Sequence, residues 1–297
     1  MTGNFSWAAL AILPLSMVAN SATAKEQPQV RLQPVSSWNL DYAEDSCRML
    51  RIFGSDQDKT AFYLEQYEPG EEFFVLVAGK PLNRIKQQEI KIQFGPAAPQ
   101  QEESAILADF GDFGSGLMIL NMSMIPRMGK DASASKKWGD KWPPAIRAPE
   151  ADITWVEFSK IGTKNLVLEL GAMEKPMDAL RACTDNLLGQ WGIDIESHKT
   201  LTRKAGPANN PRTWLVPDDY PTQLLRKNEQ GLVQFRLMVG TDGLPESCHI
   251  QKSTRGKAFD DLVCEKVMER ARLKPALDAN GQPIRSYYRS SVRFTVG

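Results

Sequence analysis

The feature that most restricts what this chain can fold into is the ordered series of turn signals and apolar alternation in residues 214–297. Asp219-Tyr220-Pro221 opens a short helix, with Pro221 at its first position and Gly231 just past its end. Leu224 and Leu225 are its expected buried side. The pattern then changes to period two. Val233, Phe235, Leu237 and Val239 face one way, and Gln234 and Arg236 the other. Thr241-Asp242-Gly243 predicts a hairpin turn, after which Cys248 and Ile250 lie on the returning strand. Phe259, Leu262, Val263, Val267 and Ala271 form the stripe of a second helix, which Pro275 cannot continue. Asn280-Gly281 marks another turn. On the last strand Tyr288, Val292, Phe294 and Val296 point inward, and Tyr287, Arg289, Ser291, Arg293 and Thr295 point outward. Helix, hairpin, helix and strand predict a small antiparallel sheet covered on one face by two helices.

A chain of 297 residues, 42% apolar and 24% charged, has room for a second domain with its own core. Its 36 basic and 36 acidic residues give no overall attraction to nucleic acid or to an anionic membrane. Residues 1–24 bear on the compartment. The apolar run 5–18 is short, is interrupted by Pro14, and ends in the Ala22-Thr23-Ala24 cleavage pattern. This predicts a signal peptide over 1–24 and a periplasmic protein. Because residues 1–6 carry no Lys or Arg, the alternative is an uncleaved anchor in the inner membrane, facing the periplasm.

Residues 25–198 predict a mainly-β, sandwich-like domain with a closing helix, so the whole chain is expected to be α+β. Residues 25–37 are a polar tail without periodicity. Beyond them Phe62, Leu64 and Gln66 alternate with Tyr63, Glu65 and Tyr67, 73–77 is a continuous apolar run, and Ile90, Ile92 and Phe94 alternate with polar partners. Four further candidate strands lie at 106–110, 117–124, 153–158 and 166–170. The insertion 129–150 carries Lys136, Lys137, Trp138, Lys141 and Trp142; it is read as an exposed hairpin loop, with nucleobase stacking as the sharper alternative. Pro176 begins a helix with Leu180, Cys183 and Leu187 on one stripe, ended by Gly189 and Gly192. Residues 199–213 lose all apolar period and are read as a linker to 214–297.

Export makes the four cysteines readable as disulfides. Three pairings are open in principle, and the domain division favours Cys47–Cys183 and Cys248–Cys264, each within one domain. A metal site lacks the usual cysteine spacing, and the only histidines, His198 and His249, are far apart in sequence. No nucleophile motif or zinc-protease motif occurs, and acid pairs such as Asp109 and Asp112 are commoner in turns. The expectation is therefore no enzyme, no catalytic residue, no metal and no cofactor.

The string Tyr220-Pro221, Gly231 with its strand, Asp242-Gly243, Phe259-Asp260, Arg272-Leu273-Lys274-Pro275-Ala276, Asn280-Gly281-Gln282-Pro283 and Val292-Arg293-Phe294 resembles the TonB C-terminal domain family over about 214–297. The resemblance implies a periplasmic protein-binding module in TonB-dependent transport. Its partner would be an outer-membrane receptor or another envelope protein, which adds a peptide strand to a sheet edge; a homodimer is a further assembly to consider. The docking edge implied is 287–295, with Tyr287, Arg289, Ser291, Arg293 and Thr295, together with Pro217, Asp218, Asp219 and Tyr220 before the first helix. The family's transducers have a membrane helix and a proline-rich spacer. Here a cleavable segment and a globular domain stand in those places, which favours peptide binding over direct energy transduction.

Overall fold

The computed structural model describes residues 28–83, 85–98, 100–124, 150–254 and 256–296; the expected signal peptide and the tryptophan-bearing stretch 136–142 lie outside the described residues. Ten strands make one large sheet: β1 (Gln29–Leu32), β2 (Asn39–Tyr42), β3 (Cys47–Phe53), β4 (Thr60–Gln66), β5 (Phe73–Gly79), β6 (Glu89–Phe94), β7 (Gln101–Asp109), β8 (Ser115–Met122), β9 (Trp155–Ser159) and β10 (Asn165–Glu169). Their order is β1-β10-β9-β6-β7-β8-β5-β4-β3-β2, antiparallel except for β1 on β10. The sheet curls at β7, whose first residues pair with β6 and whose later ones pair with β8. A bridge between Pro34 and Phe53 draws the two ends of the sheet together.

Curling puts one row of each strand inside. Phe62 meets Phe53, Phe158 and Trp38 edge-on, and Phe73 meets Phe94 in the same way, the arrangement aromatic quadrupoles favour. The helix α1 (Glu174–Gln190) closes this core with Met177, Leu180, Cys183, Leu187 and Leu188, and the Cys47–Cys183 disulfide ties it to β3. The polar tail conceals β1, of which only Leu32 is buried. An edge strand held mainly by backbone pairing leaves little apolar signal in a sequence.

The second core lies under a three-stranded antiparallel sheet. Its strands are β12 (Gly231–Val239), β13 (Pro245–Ser253) and β17 (Ser286–Phe294), in the order β13-β12-β17. The helix α4 (Lys257–Arg270) lays Phe259, Val263 and Val267 against Val233, Phe235, Leu237 and Val239, and Cys248–Cys264 fastens it to β13. The earlier helix α3 (Thr222–Arg226) is shorter than expected. Pro221 is its cap residue, Asn228 takes a left-handed conformation just beyond it, and Leu225 is 44% exposed while Leu224 packs on the core.

The stretch 199–213 is not a free tether. β11 (Gly206–Pro207) pairs with β14 (Leu273–Lys274). Thr202 N–H donates to Leu277 O at 2.9 Å, and Leu277 N–H to Arg203 O at 2.9 Å. Asn209 bonds Arg270 O, Arg272 N–H and Trp214 Nε1–H. Glycine and proline spoil side-chain periodicity without preventing backbone pairing. Beyond the strap, β15 (Ala276–Leu277) and β16 (Pro283–Ile284) form a small ladder leading into β17.

Gly243 ends the β12–β13 turn at φ +80°, and a Cβ there would sit 2.0 Å from Leu273 O. Gly243→Ala is therefore expected to cost about 3 kcal/mol, from left-handed strain and a backbone clash. Gly281→Ala, at φ +75° but with no atom within 4 Å of the new Cβ, should cost only about 1 kcal/mol. Thermal unfolding of the two variants compares them.

Candidate functional site

β17 is paired to β12 along one side, from Ser286 opposite Val239 to Phe294 opposite Gly231. Among the described residues no strand and no backbone hydrogen bond occupies its other side. Such an edge presents N–H and C=O groups ready to take another strand.

The two faces of β17 have different neighbours. Ser286, Tyr288, Ser290, Val292 and Phe294 share the helix side with Val239, Leu237, Phe235, Val233 and Gly231. There Phe294 stacks on Phe259 with centroids 4.2 Å apart, and Tyr288 meets Trp214 edge-on. The opposite face, with Met238 and Tyr287, packs into the core of the large sheet.

Basic side chains line up across that second face. His249 on β13, Arg236 on β12 and Arg289 on β17 stand directly opposite one another. Two like-charged arginines in such positions weaken a ladder, and the large sheet supplies the counter-charges. Asp45, in the bend before β3, accepts from Arg236 at 3.4 Å and lies 2.7 Å from His249 Nε2. Glu68, just past β4, accepts from Arg289 at 2.8 Å. Glu65, with its side chain 1% exposed, accepts from Lys252 at 2.9 Å and Arg48 at 2.8 Å. Aromatic rings complete the seam. The Arg236 guanidinium lies 4.0 Å from the Trp191 centroid, and Arg289 lies 5.1 Å from that of Tyr67.

These surroundings move the titrations. Burial alone would raise the Glu65 carboxyl, but Lys252 and Arg48 outweigh it and hold Glu65 below the usual carboxylate value. Burial raises the Tyr287 phenol, and the Glu68 charge adds to that, so Tyr287 stays protonated. Burial, chiefly, draws Arg236 down against the pull of Asp45. His198 is lowered by burial and then by the charge of Lys204.

The sequence-read residues divide into three groups. Tyr287 is 6% exposed and Arg289 is committed to Glu68 and Gln251, so both are turned into the large sheet rather than into solvent. Ser291, Arg293 and Thr295 are exposed along the later part of the edge. Pro217 and Asp218 lie exposed on a single 3-10 turn. Asp219 in the same turn holds Arg270 through bonds of 2.6 and 2.9 Å, which lowers its carboxyl pKa. The Tyr220 hydroxyl donates to Glu229 O, and its ring meets Phe259 and Phe294 edge-on. Asp219 thus ties the 216–220 segment to the last residue of α4, and Tyr220 ties it to Glu229 before β12 and to Phe294 at the end of β17. Asp109 accepts from Gly111 N–H at 2.8 Å, a turn contact.

Asp45, Glu65, Glu68, Lys252 and Trp191 were not marked as functional in the sequence. The one available signal was Arg236 beside Met238 on the polar side of an otherwise apolar central strand.

A three-stranded sheet backed by a helix, with its last strand unpaired on one side among the described residues, has the open-edge geometry that strand addition requires. Residues 216–296 match the family model of the Gram-negative bacterial TonB protein C-terminal, so this part of the chain is a TonB C-terminal domain. The TonB C-terminal family is an envelope-associated protein-interaction family, and the match over 216–296 points to a TonB-like role in TonB-dependent transport. No curated protein and no solved structure matches the chain. Among the described residues no helix is long and apolar enough to cross a membrane.

Proposed function

We propose that this chain is an exported periplasmic binding protein that takes an extended segment of an outer-membrane receptor, or of another envelope protein, as a fourth strand on β17. In this reading 1–24 is a cleaved signal peptide, 25–198 a mainly-β domain, 199–213 its connection, and 214–297 the binding domain. The observation that carries it is the unpaired side of β17 within the segment that matches the TonB family. Main-chain bonds would supply most of the affinity. Exposed Ser291, Arg293 and Thr295, with Pro217 and Asp218 at the end of the sheet, would supply selectivity.

Peptides covering the N-terminal segments of the outer-membrane receptors of the same bacterium, titrated into the whole protein, test this reading. Saturable binding to at least one segment below about 1 mM is the expected result; none at that concentration sinks it. A homodimer formed edge to edge would use the same strand, and sedimentation with and without peptide separates the two assemblies. The N-terminal residue of the mature protein decides between an exported module and an anchored transducer, because an intact Met1 selects the latter.

A further inference from the structure

Successive side chains of a strand point to opposite faces. Ser286 and Tyr287 are successive residues of β17, yet the single side chain of His198 touches both. Its Nε2 lies 2.9 Å from Ser286 Oγ, and its ring stacks on Tyr287 with centroids 5.2 Å apart and planes 16° apart. β12 fills one side of β17. A group that reaches both faces must therefore come round the start or the open side of the strand. Trp191 arrives there too: its ring meets Tyr287 edge-on at 5.1 Å, and its carbonyl accepts from Arg285 Nη1 at 3.4 Å, beside Gly192 O at 3.3 Å. Ser286 and Tyr287 are 1% and 6% exposed. Residues 191–199 form a collar round the first two residues of β17.

Local chemistry builds this collar. After α1, Gly192 takes φ +70°, and its N–H bonds Gly189 O while the N–H of Ile193 bonds Leu188 O, each at 3.0 Å. That pair of bonds is a Schellman stop, which only a left-handed residue permits. Asp194 then accepts from Ser197 N–H at 2.7 Å and caps the short helix α2 (Ile195–Lys199), which carries His198. A fixed stop followed at once by a capped turn leaves little freedom in where His198 lies.

We propose that the collar is a built-in stop for strand addition: it closes the open side of β17 at Ser286 and Tyr287 and confines an added strand to 288–294. This rests on the strand-addition reading above. The partner segment must then end or turn away at the collar, with a paired stretch of roughly 23 Å at the usual rise per residue. The collar sets the register of the partner, while the open stretch supplies its backbone bonds.

Two measurements on the whole protein decide this, with His198→Ala and Ser286→Ala as variants. The first is amide hydrogen exchange resolved to single residues. Of Ser286 and Tyr287, whichever amide faces away from β12 should exchange at least about tenfold more slowly than the outward amides of 288–294, and His198→Ala should remove most of that difference. The second is photo-crosslinking with a receptor-segment peptide carrying a benzophenone. Within β17, crosslinks are expected only at 288–294 in the unaltered protein, extending to 286 and 287 in His198→Ala. Fast exchange at both 286 and 287, or crosslinks there without the variant, overturns the collar. A peptide that crosslinks nowhere defeats the strand-addition reading instead, and the exchange arm still decides the collar. If His198→Ala loses its disulfides or near-UV signal, Ser286→Ala, which keeps the ring stack and deletes one bond, takes its place. It should speed exchange at the same site, and unchanged exchange there counts against the proposal.

Discussion

Replacing Cys47 and Cys183 together by alanine is expected to lower the free energy of unfolding by about 4–5 kcal/mol, the loop-closure value for a bond across 136 residues of sequence. Both cysteines are fully buried, so alanine also leaves two small voids in the core under the large sheet. For a protein of this size the thermal midpoint should fall by roughly 10–20 °C. Cys248→Ala with Cys264→Ala is the comparison. That bond spans 16 residues and should be worth about 3 kcal/mol. Calorimetry of both double variants, with oxidised and reduced unaltered protein, checks the order of the two effects. A smaller loss from the long-range pair would show that the unfolded chain retains structure around it.

The same double variant should act beyond its own core. Asp45 lies two residues before Cys47, and Trp191 follows the helix that carries Cys183. Both side chains hold Arg236, Asp45 by an ion pair and Trp191 by its ring. The bond therefore positions both grips on the central cation of the seam. Its loss is expected to split one calorimetric transition into two, with the C-terminal sheet released first and its own disulfide intact.

How much of this was legible before the structure depends on what each pattern encodes. Period two on β12 and β17 placed the correct residues on the correct faces, because alternation follows from backbone geometry. It could not tell water from an acidic protein surface. Tyr287 and Arg289 read as outward and are outward from the helix side, but Glu68 and the large sheet lie there. On β4, alternation sets Glu65 in the row opposite Phe62 and Leu64 but does not show that this row is also covered, with Lys252 reaching Glu65 from another sheet. Charge pairs between segments 187 residues apart leave no local trace. The crossing of β7 from one half of the large sheet to the other was equally silent, since it depends on which neighbour each half of the strand finds. The helix stripe of Leu180, Cys183 and Leu187 was visible because a single element carries it.

Glu65→Gln is the second large effect expected, and it tests whether the charged seam holds the two sheets together. The side chain of Glu65 is 1% exposed, whereas those of Lys252 and Arg48 are 29% and 35% exposed. Removing the carboxylate leaves two cations facing a closed site with only an amide between them. Breaking a buried pair from one side costs about 3–5 kcal/mol, and partial solvation of both cations places this case near about 3 kcal/mol. The pH dependence follows from the direction of the shift. Against the effect of burial, Lys252 and Arg48 hold the folded-state pKa of Glu65 below the ordinary carboxyl value. Its contribution is therefore complete above the unfolded value and is lost as pH falls through the folded one. The stability gap between the unaltered protein and Glu65→Gln should stay level from about pH 8 to pH 5 and close below the ordinary carboxylate range. Urea unfolding at a series of pH values measures that gap. A variant as stable as the parent at pH 7 would mean that Lys252 and Arg48 find water as readily as Glu65, and that apolar contacts of Met238 and Tyr287 hold the seam. A gap that persists undiminished to pH 2 would mean that the shape of the side chain, and not its charge, is what the site requires.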